Sequence, residues 1–446
     1  MDIMLILQII VLFGGIYLGV KLGGMGIGYA GGLGVIILTV FLGMKPGSIP
    51  WDVILIIASV ISAITAMQVA GGLDYLVQIA ERILRNNPKY INYLAPIVTY
   101  LLTIFAGTGH TAFSVLPVIT EVAKGQNIKP SAPLALAVVS SQVAITASPI
   151  SAAFVAMTGV CEPLGVSYPI LLLICIVTTF AAVILTAFIV NMVYDLDLSK
   201  DPVYQDRLAK GMVKEIVVEE QKELLPYAKR SVVIFGIGVL FVVAYALAIS
   251  DSVKLIDPVR LGRDGAIISF MLTIGAAIVM FCKVDTSKLL GTSTFQSGMN
   301  ACICVLGIAW LGTTFVSGYI DPIKSVASEV VTKYPYLLAV ALYFLSCLLY
   351  SQAATTKIMM PAVALAMGMT SPENSGQIWI LVASFAAVSG LFVLPTYPTV
   401  LGAIAMDDTG TTRVGKYVFN HSFIIPGTIM VAIAVALGFI IAPMLI

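Results

Sequence analysis

The sequence predicts an all-α polytopic membrane protein, built as an inverted repeat with five spans and one re-entrant hairpin in each half. Three observations lead there. The chain is 59% hydrophobic and 11% charged, with a mean hydropathy of +1.03, which leaves too little polar surface for a soluble domain of 446 residues. About ten apolar runs, near 3–20, 25–43, 52–70, 131–158, 168–193, 231–250, 265–282, 297–317, 378–406 and 418–445, approach the roughly 20 residues that a helical span needs. Two further segments, "LLTIFAGTGHTAFSVLPV" (Leu101 to Val118) and "LSCLLYSQAATTKIMMPA" (Leu345 to Ala362), are apolar at both ends, polar in the middle and carry a proline near the end.

The runs are continuous rather than alternating, so they read as helices and not as barrel strands. The first lacks a basic n-region and an A-x-A site and reads as a span, not a removable signal. Cys161, Cys175, Cys282, Cys302, Cys304 and Cys347 form no C-x-x-C or His/Cys cluster; they read as small buried hydrophobes, not as a metal site or disulfide framework. A net charge of +1 implies no nucleic acid or other polyanionic partner.

Basic residues set the orientation. With the N-terminus outside, seventeen Lys and Arg fall in cytoplasmic segments and six outside, leaving Lys357 within the second polar-centred segment. Both termini are therefore expected outside. The one long soluble stretch, 195–230, carries mixed charge and reads as a solvated cytoplasmic linker between a first repeat, 1–194, and a second, 231–446. Five crossings precede it, so the second half runs in the opposite sense, a common build of secondary transporters. In each half an amphipathic segment, "GLDYLVQIAERILRNNPKY" or "YIDPIKSVASEVVTKYPY", precedes the polar-centred one.

The polar-centred segments read as re-entrant hairpins at about 91–124 and 336–368, with tips at Gly107–Thr111 and Ser351–Thr356. Gly107 to Pro117 and Ser351 to Pro361 are both ten residues, and Thr111 and Thr355 share an offset. Two long spans carry matching proline breaks, "ITASPISAAF" (Ile145 to Phe154) and "VLPTYPTVLG" (Val393 to Gly402). Proline removes a backbone donor and restricts the residue before it. Irregular backbone at membrane depth survives only where it is buried or wet. Four such interruptions at corresponding places point to a transporter's binding site.

Each tip and break starts a helix whose unpaired N–H groups favour an anion. The nearby candidates are Thr108, Gly109, His110 and Thr111; Ser148, Pro149 and Ser151, with Thr146; Ser351, Gln352, Thr355, Thr356 and Lys357; and Thr396, Tyr397 and Thr399. Hydroxyls and an amide bond carboxylate oxygens without a buried counter-charge. Two opposed anion sites suit a ligand with a negative group at each end; one carboxylate and one sodium ion suit the same features. The alternative for any single Ser or Thr is a side chain that only satisfies a freed carbonyl, and for His110 a satisfied tip residue. Lys357 near the bilayer centre costs roughly 2.5–3.5 kcal/mol on insertion scales, which favours a functional reading over snorkelling. His421 reads as structural, and "DDTGTTR" (Asp407 to Arg413) as a helix stop and tight turn. The acids around the hairpins, Glu121 and Glu373, lie away from the tips, so the expectation is substrate exchange without a carboxylate proton relay. An intramembrane enzyme would have His110 and Ser114 at i+4 to work with, but no G-x-S-x-G is present and the second half would have no use. A channel is the other competing class; it would neither saturate nor counter-transport.

Carried by these motifs, the chain closely resembles the anaerobic C4-dicarboxylate transporters, the Dcu family, in its DcuA type. The residues of the resemblance are "KLGGMGIGYAGGLGV", "AMQVAGGLDYLVQIAERILRNNPKYI", "APIVTYLLTIFAGTGH", "ITASPISAAFVAM", "CKVDTSKLLGTSTFQSGM", "LLYSQAATTK" and "LPTYPTVLGAIAMDDTGTTRVGK", nearly the whole chain. The resemblance implies a bacterial inner-membrane carrier, not an enzyme, for fumarate, succinate, malate and aspartate. It implies exchange of fumarate or aspartate for succinate. The DcuB type has an Asp after the proline in "LPTYPSD", where this chain has Thr399 and Val400; a role of that acid is not carried over. A broader architectural resemblance, to the ion-transporter superfamily, implies a homodimer with a fixed scaffold and an elevator-like transport domain. A membrane sensor is a further partner compatible with transport.

The charge count yields a test. Single cysteines at Lys45 and Lys210, in a background without native thiols, should react with an impermeant reagent outside intact cells only at Lys45; the reverse pattern rejects the orientation.

Overall fold

The computed structural model describes residues 3–22, 25–49, 51–213, 223–250, 253–319, 333–369, 372–395, 397–415 and 420–446. Among them there is no strand, only two isolated bridges, Ile128 to Asp197 and Val414 to His421. Helix α1 (Ile3–Leu22) is followed by α2 (Gly26–Ile36), which runs on through a π-helical turn, Ile37–Phe41, and by α3 (Trp51–Val69). Gly71, left-handed at φ 84°, then turns the chain into the amphipathic α4 (Gly72–Asn86), bent 79° from α3. The first hairpin is α5 (Ile91–Ala106) and α6 (Leu116–Gly125); α7 (Ser131–Val143) and α8 (Ala152–Cys161) are the two parts of a broken span, and α9 (Tyr168–Val193) is unbroken.

The linker contributes α10 (Pro202–Ala209), capped by Asp201, whose carboxylate accepts from Val203 N at 2.9 Å. Next come α11 (Ala228–Ala248), α12 (Arg263–Phe281) and α13 (Ser293–Cys304), which passes through a second π-helical turn, Val305–Ala309, into α14 (Trp310–Gly318). The second hairpin is α15 (Leu337–Leu349) and α16 (Gln352–Ala366); α17 (Ile378–Ser384) continues as the 3-10 helix Phe385–Val393, and α18 (Pro398–Met406) and α19 (Ile424–Leu445) complete the chain. Among the described residues six helical runs are long and apolar enough to cross a membrane, and two bent pairs raise this to eight. The expected spans near 3–20 and 25–43 are apolar helices of shorter apolar length, Ile3–Gly19 and Gly28–Phe41. Most of the second amphipathic segment, 320–332, and linker residues 214–222 lie outside the described residues.

The helices sort into two bodies. In one, α3 packs on α12, α1 on α2, α2 on the turn at Val305–Ala309, and α11 on α12 and α4. In the other, α5 packs on α7, α9 on α19, α15 on Phe385–Val393, and α8 on α16. The main contacts between bodies are narrower: α4 with α5 and α6, α3 with α8, and α11 with α9. Among the described residues two ion pairs cross the boundary. Arg85 of α4 meets Glu121 of α6 at 2.7 Å, and Arg263 of α12 meets Glu162 after α8, with its guanidinium 5.2 Å from the Tyr168 ring centre.

The glycine-rich start of α2 has a packing reason. A Cβ at Gly31 would overlap the backbone of Gly307 and Ile308, and one at Gly307 would overlap the Gly28 carbonyl. Small residues allow such backbone contact inside a membrane, where dispersion rather than water exclusion drives helix association. The "DDTGTTR" loop is a helix stop, as expected. The Asp407 carboxylate accepts from Thr409 N at 2.9 Å, Thr411 Oγ1 at 2.9 Å and Thr412 N at 2.7 Å, while Asp408 pairs with Lys124 at 2.8 Å.

Gly31→Val or Gly307→Val is expected to abolish folded protein in fluorescence-detected size exclusion. Gly32→Ala, where an added Cβ meets nothing within 4 Å, should behave as the parent; equal yields for all three would refute the close crossing.

Candidate functional site

The four interruptions fold as departures from helix with identifiable local causes. Helix α5 ends at Gly107, left-handed at φ 68°. A 3-10 turn, Gly109–Ser114, follows before Pro117 takes the second position of α6. The first tip is therefore a longer turn than the expected Gly107–Thr111. The second tip is shorter than expected: Tyr350 is left-handed at φ 55°, Ser351 accepts from Ala354 N at 3.2 Å, and helix resumes at Gln352. Thr355, Thr356 and Lys357 thus lie on α16 rather than in a tip. In the first broken span, Ser148 and Ser151 are extended, and Ser151 caps α8 by accepting from Phe154 N at 3.1 Å. The direction holds there, so that Ser131–Leu164 counts as one run, whereas the second break bends by 51° into α18.

All four interruptions border one cavity of about 170 Å³. The first tip supplies Gly107, Thr108, Gly109 and Phe113; the second supplies Tyr350, Ser351, Gln352 and Ala353. Ile145, Ala152 and Ala153 come from the first break and Tyr397 and Pro398 from the second. The other body closes it with Ile57 of α3 and Asn300 and Cys304 of α13. None of these lining side chains is charged. The starts of α8, α16 and α18 all reach the cavity, and first-turn N–H groups have no intrahelical acceptor. Three positive dipole ends therefore converge on a neutral, partly polar space.

Most of the expected hydroxyls are occupied elsewhere. Thr111 donates to Thr108 O at 3.1 Å, Thr146 to Val143 O at 2.8 Å, Ser148 to Ile104 O at 2.8 Å and Ser151 to Ile145 O at 2.6 Å. Thr355 donates to Ser351 O and Thr356 to Gln352 O, both at 2.8 Å. Of the expected residues the structure brings Thr108, Gly109, Ser351, Gln352 and Tyr397 to the wall. Thr111 borders an adjoining cavity instead. Ser148, Pro149, Ser151, Thr355, Thr356, Thr399 and the half-buried Lys357 do not line the central cavity. Thr396 and the His110 side chain lie outside the described residues.

Sequence reasoning missed Gln142, Asn300, Cys304 and Tyr350. Fully buried Gln142 donates through Nε2 to Thr399 Oγ1 at 3.3 Å, and its carbonyl accepts from Gln352 Nε2 at 2.9 Å. It ties the first half's broken span to the second half's tip and break. An Asn and a Gln inside apolar spans were the available signal. His421 is structural, as expected: Nδ1 accepts from Phe423 N at 3.3 Å, so Nε2 donates to Val393 O at 3.1 Å. Burial holds this imidazole below its ordinary pKa.

A polytopic helical bundle with broken helices around a neutral central cavity defines a membrane transporter class. The family described as "Anaerobic c4-dicarboxylate membrane transporter" matches residues 4–446. The C4-dicarboxylate transporter DcuA of Helicobacter pylori strain 26695 is 60% identical over 439 residues, 98% of this chain and 99% of the relative. That of Wolinella succinogenes is 60% identical over 443 residues, 99% and 100%. That of Escherichia coli K12 is 55% identical over 438 residues, 98% and 99%. The chain belongs to this family of membrane transporters, and the enzyme reading is set aside.

Losing an N-cap costs about 0.5–2 kcal/mol. Ser151→Ala should therefore lower the thermal midpoint of the purified protein, and Ser151→Thr, which keeps a hydroxyl that both accepts from Phe154 N and donates to Ile145 O, should restore most of it; an unchanged midpoint in Ser151→Ala would exclude the cap.

Proposed function

We propose that the protein carries C4-dicarboxylates such as fumarate, succinate, malate and aspartate across the bacterial inner membrane, one exchanged for another, with the central cavity as the binding site. The observation that carries the reading is the convergence of three helix N-termini on a cavity without charged side chains. Backbone N–H groups and Ser351 Oγ, which among the described residues only accepts, are the donors a carboxylate needs. Exchange follows from charge. Moving two negative charges across 100 mV involves about 4.6 kcal/mol, at about 2.3 per charge, and exchanging dianion for dianion cancels it without a proton carrier. The division into two bodies supports an elevator-like movement of the hairpin body against the other, in an inverted repeat with both termini outside. A homodimer rests on architectural resemblance alone, and a membrane sensor is an unassigned partner.

One observation favours cation-coupled symport as a second reading. Gln142 Oε1 is buried without a hydrogen-bond partner among the described residues, an acceptor that a sodium ion would suit.

Proteoliposomes preloaded with succinate should take up labelled fumarate with the pH gradient collapsed and sodium removed, and empty ones should not. Uptake that needs sodium but not internal succinate would select symport. Ser351→Ala should weaken fumarate binding about tenfold, as expected when a hydrogen bond to a charged group is lost at roughly 1.5–3 kcal/mol; parental affinity would remove Ser351 from the site.

A further inference from the structure

A second cavity, of about 370 Å³, adjoins the central one. It is bordered by Gln68, Leu73, Thr294 and Met406, among others, and its wall shares only Thr108 and Phe113 with that of the central cavity. Part of its lining, Leu73 and Met406, lies near the 195–230 segment. Gly71, beside its rim, faces Leu225 and Ala228 where that segment ends, and Asp408, just beyond Met406, accepts from Arg207 through its carbonyl at 3.2 Å.

The structure assigns Phe113 the role of a movable partition between the two cavities. The Phe113 ring is half-buried and lies against Gly402 of α18, where any Cβ would overlap it. The ring therefore has a seat that only glycine provides. Its backbone belongs to the 3-10 turn Gly109–Ser114 that connects α5 and α6, a conformation with poorer hydrogen bonds than α-helix. Around it the second cavity offers neutral polar groups, Thr111, Ser114 and Gln68, whose Oε1 accepts from Thr294 N at 3.2 Å. A ligand passing the ring moves from one neutral polar space to another, and the ring's return separates the central cavity from solvent on the side of the 195–230 segment. The inference rests on the reading of the central cavity as the transport site, and it adds the residue that controls entry from one side.

Cys304, on the central cavity wall, makes this measurable without transport. Cys161, Cys175, Cys282, Cys302 and Cys347 are replaced, and an impermeant thiol reagent is applied to vesicles that expose the face of the 195–230 segment. Phe113→Ala should raise the rate of Cys304 modification at least tenfold, and Phe113→Leu by less, while Phe113→Tyr should stay near the parent. Size exclusion confirms which variants are folded. Unchanged rates in folded Phe113→Leu and Phe113→Ala, or a rise only from the opposite face, would overturn the partition. Fumarate should slow the reaction in every variant. A rate increase without protection by fumarate would leave the partition standing and overturn the transport reading of the cavity.

Discussion

Everything near the centre of this protein depends on pairing backbone groups at depths where water is scarce. An unsatisfied amide or carbonyl in hydrocarbon costs several kcal/mol, and four helix interruptions at one level free many such groups at once. The side chains of Thr111, Thr146, Ser148, Ser151, Thr355 and Thr356 all donate to backbone carbonyls. Gln352 does the same across the two halves, to Gln142. What is paired by this means is the acceptor side. On the donor side Ser151 and Ser351 cap Phe154 N and Ala354 N, and the remaining first-turn N–H groups of α8, α16 and α18 start beside the cavity. The helix starts favour an anion in the cavity, whose lining has no charged side chain, and the proposed site rests on this.

That arrangement sets its strength. A helix dipole contributes about 0.3–1 kcal/mol to a nearby charge at an exposed surface and up to about 2 in partly buried geometry. Three of them favour a small anion at the proposed site but do not amount to neutralising two full charges. In the exchange proposed above the substrate's charge is tolerated rather than cancelled, and another dianion makes the return journey.

Much of this was legible in the sequence. Apolar runs, the prolines at 117, 149, 395 and 398 and the polar centres marked the interruptions, whereas Pro361 lies inside α16. Composition also led to the cavity now proposed as the site, although most of the small polar residues it singled out satisfy backbone carbonyls. Which atoms face the cavity was not legible. Thr355 and Ser351 look equivalent as residue types, yet a threonine one turn into a helix finds the i−4 carbonyl, whereas a serine at the cap position accepts from the first turn and keeps its proton. Gln142 and Asn300 escaped because they sit away from the proline breaks, and their roles depend on which helices meet in three dimensions. The glycines of α2 were visible as a motif, but their reason, the crossing with Gly307, lies in a distant part of the chain.

The boundary between the two bodies has a matching logic. Arg85 and Glu121 are each about 30% exposed, and such a pair contributes little and re-forms readily with water. Arg263 and Glu162 are far more buried, at 14% and 8%. Yet Glu162 Oε1, Arg263 Nε and the Tyr168 hydroxyl are buried without hydrogen-bond partners among the described residues. A buried ion pair offsets its desolvation cost only when its remaining polar atoms are also satisfied. This one is incomplete on both sides, so parting its members into a wetter environment forfeits less than its burial suggests. Among the described residues the ionic part of the join between the bodies is thus one exposed pair and one incompletely satisfied pair, beside the apolar packing of Tyr350 and Tyr397 on Leu38 and Leu311, and the elevator movement proposed above would part ion pairs that contribute little.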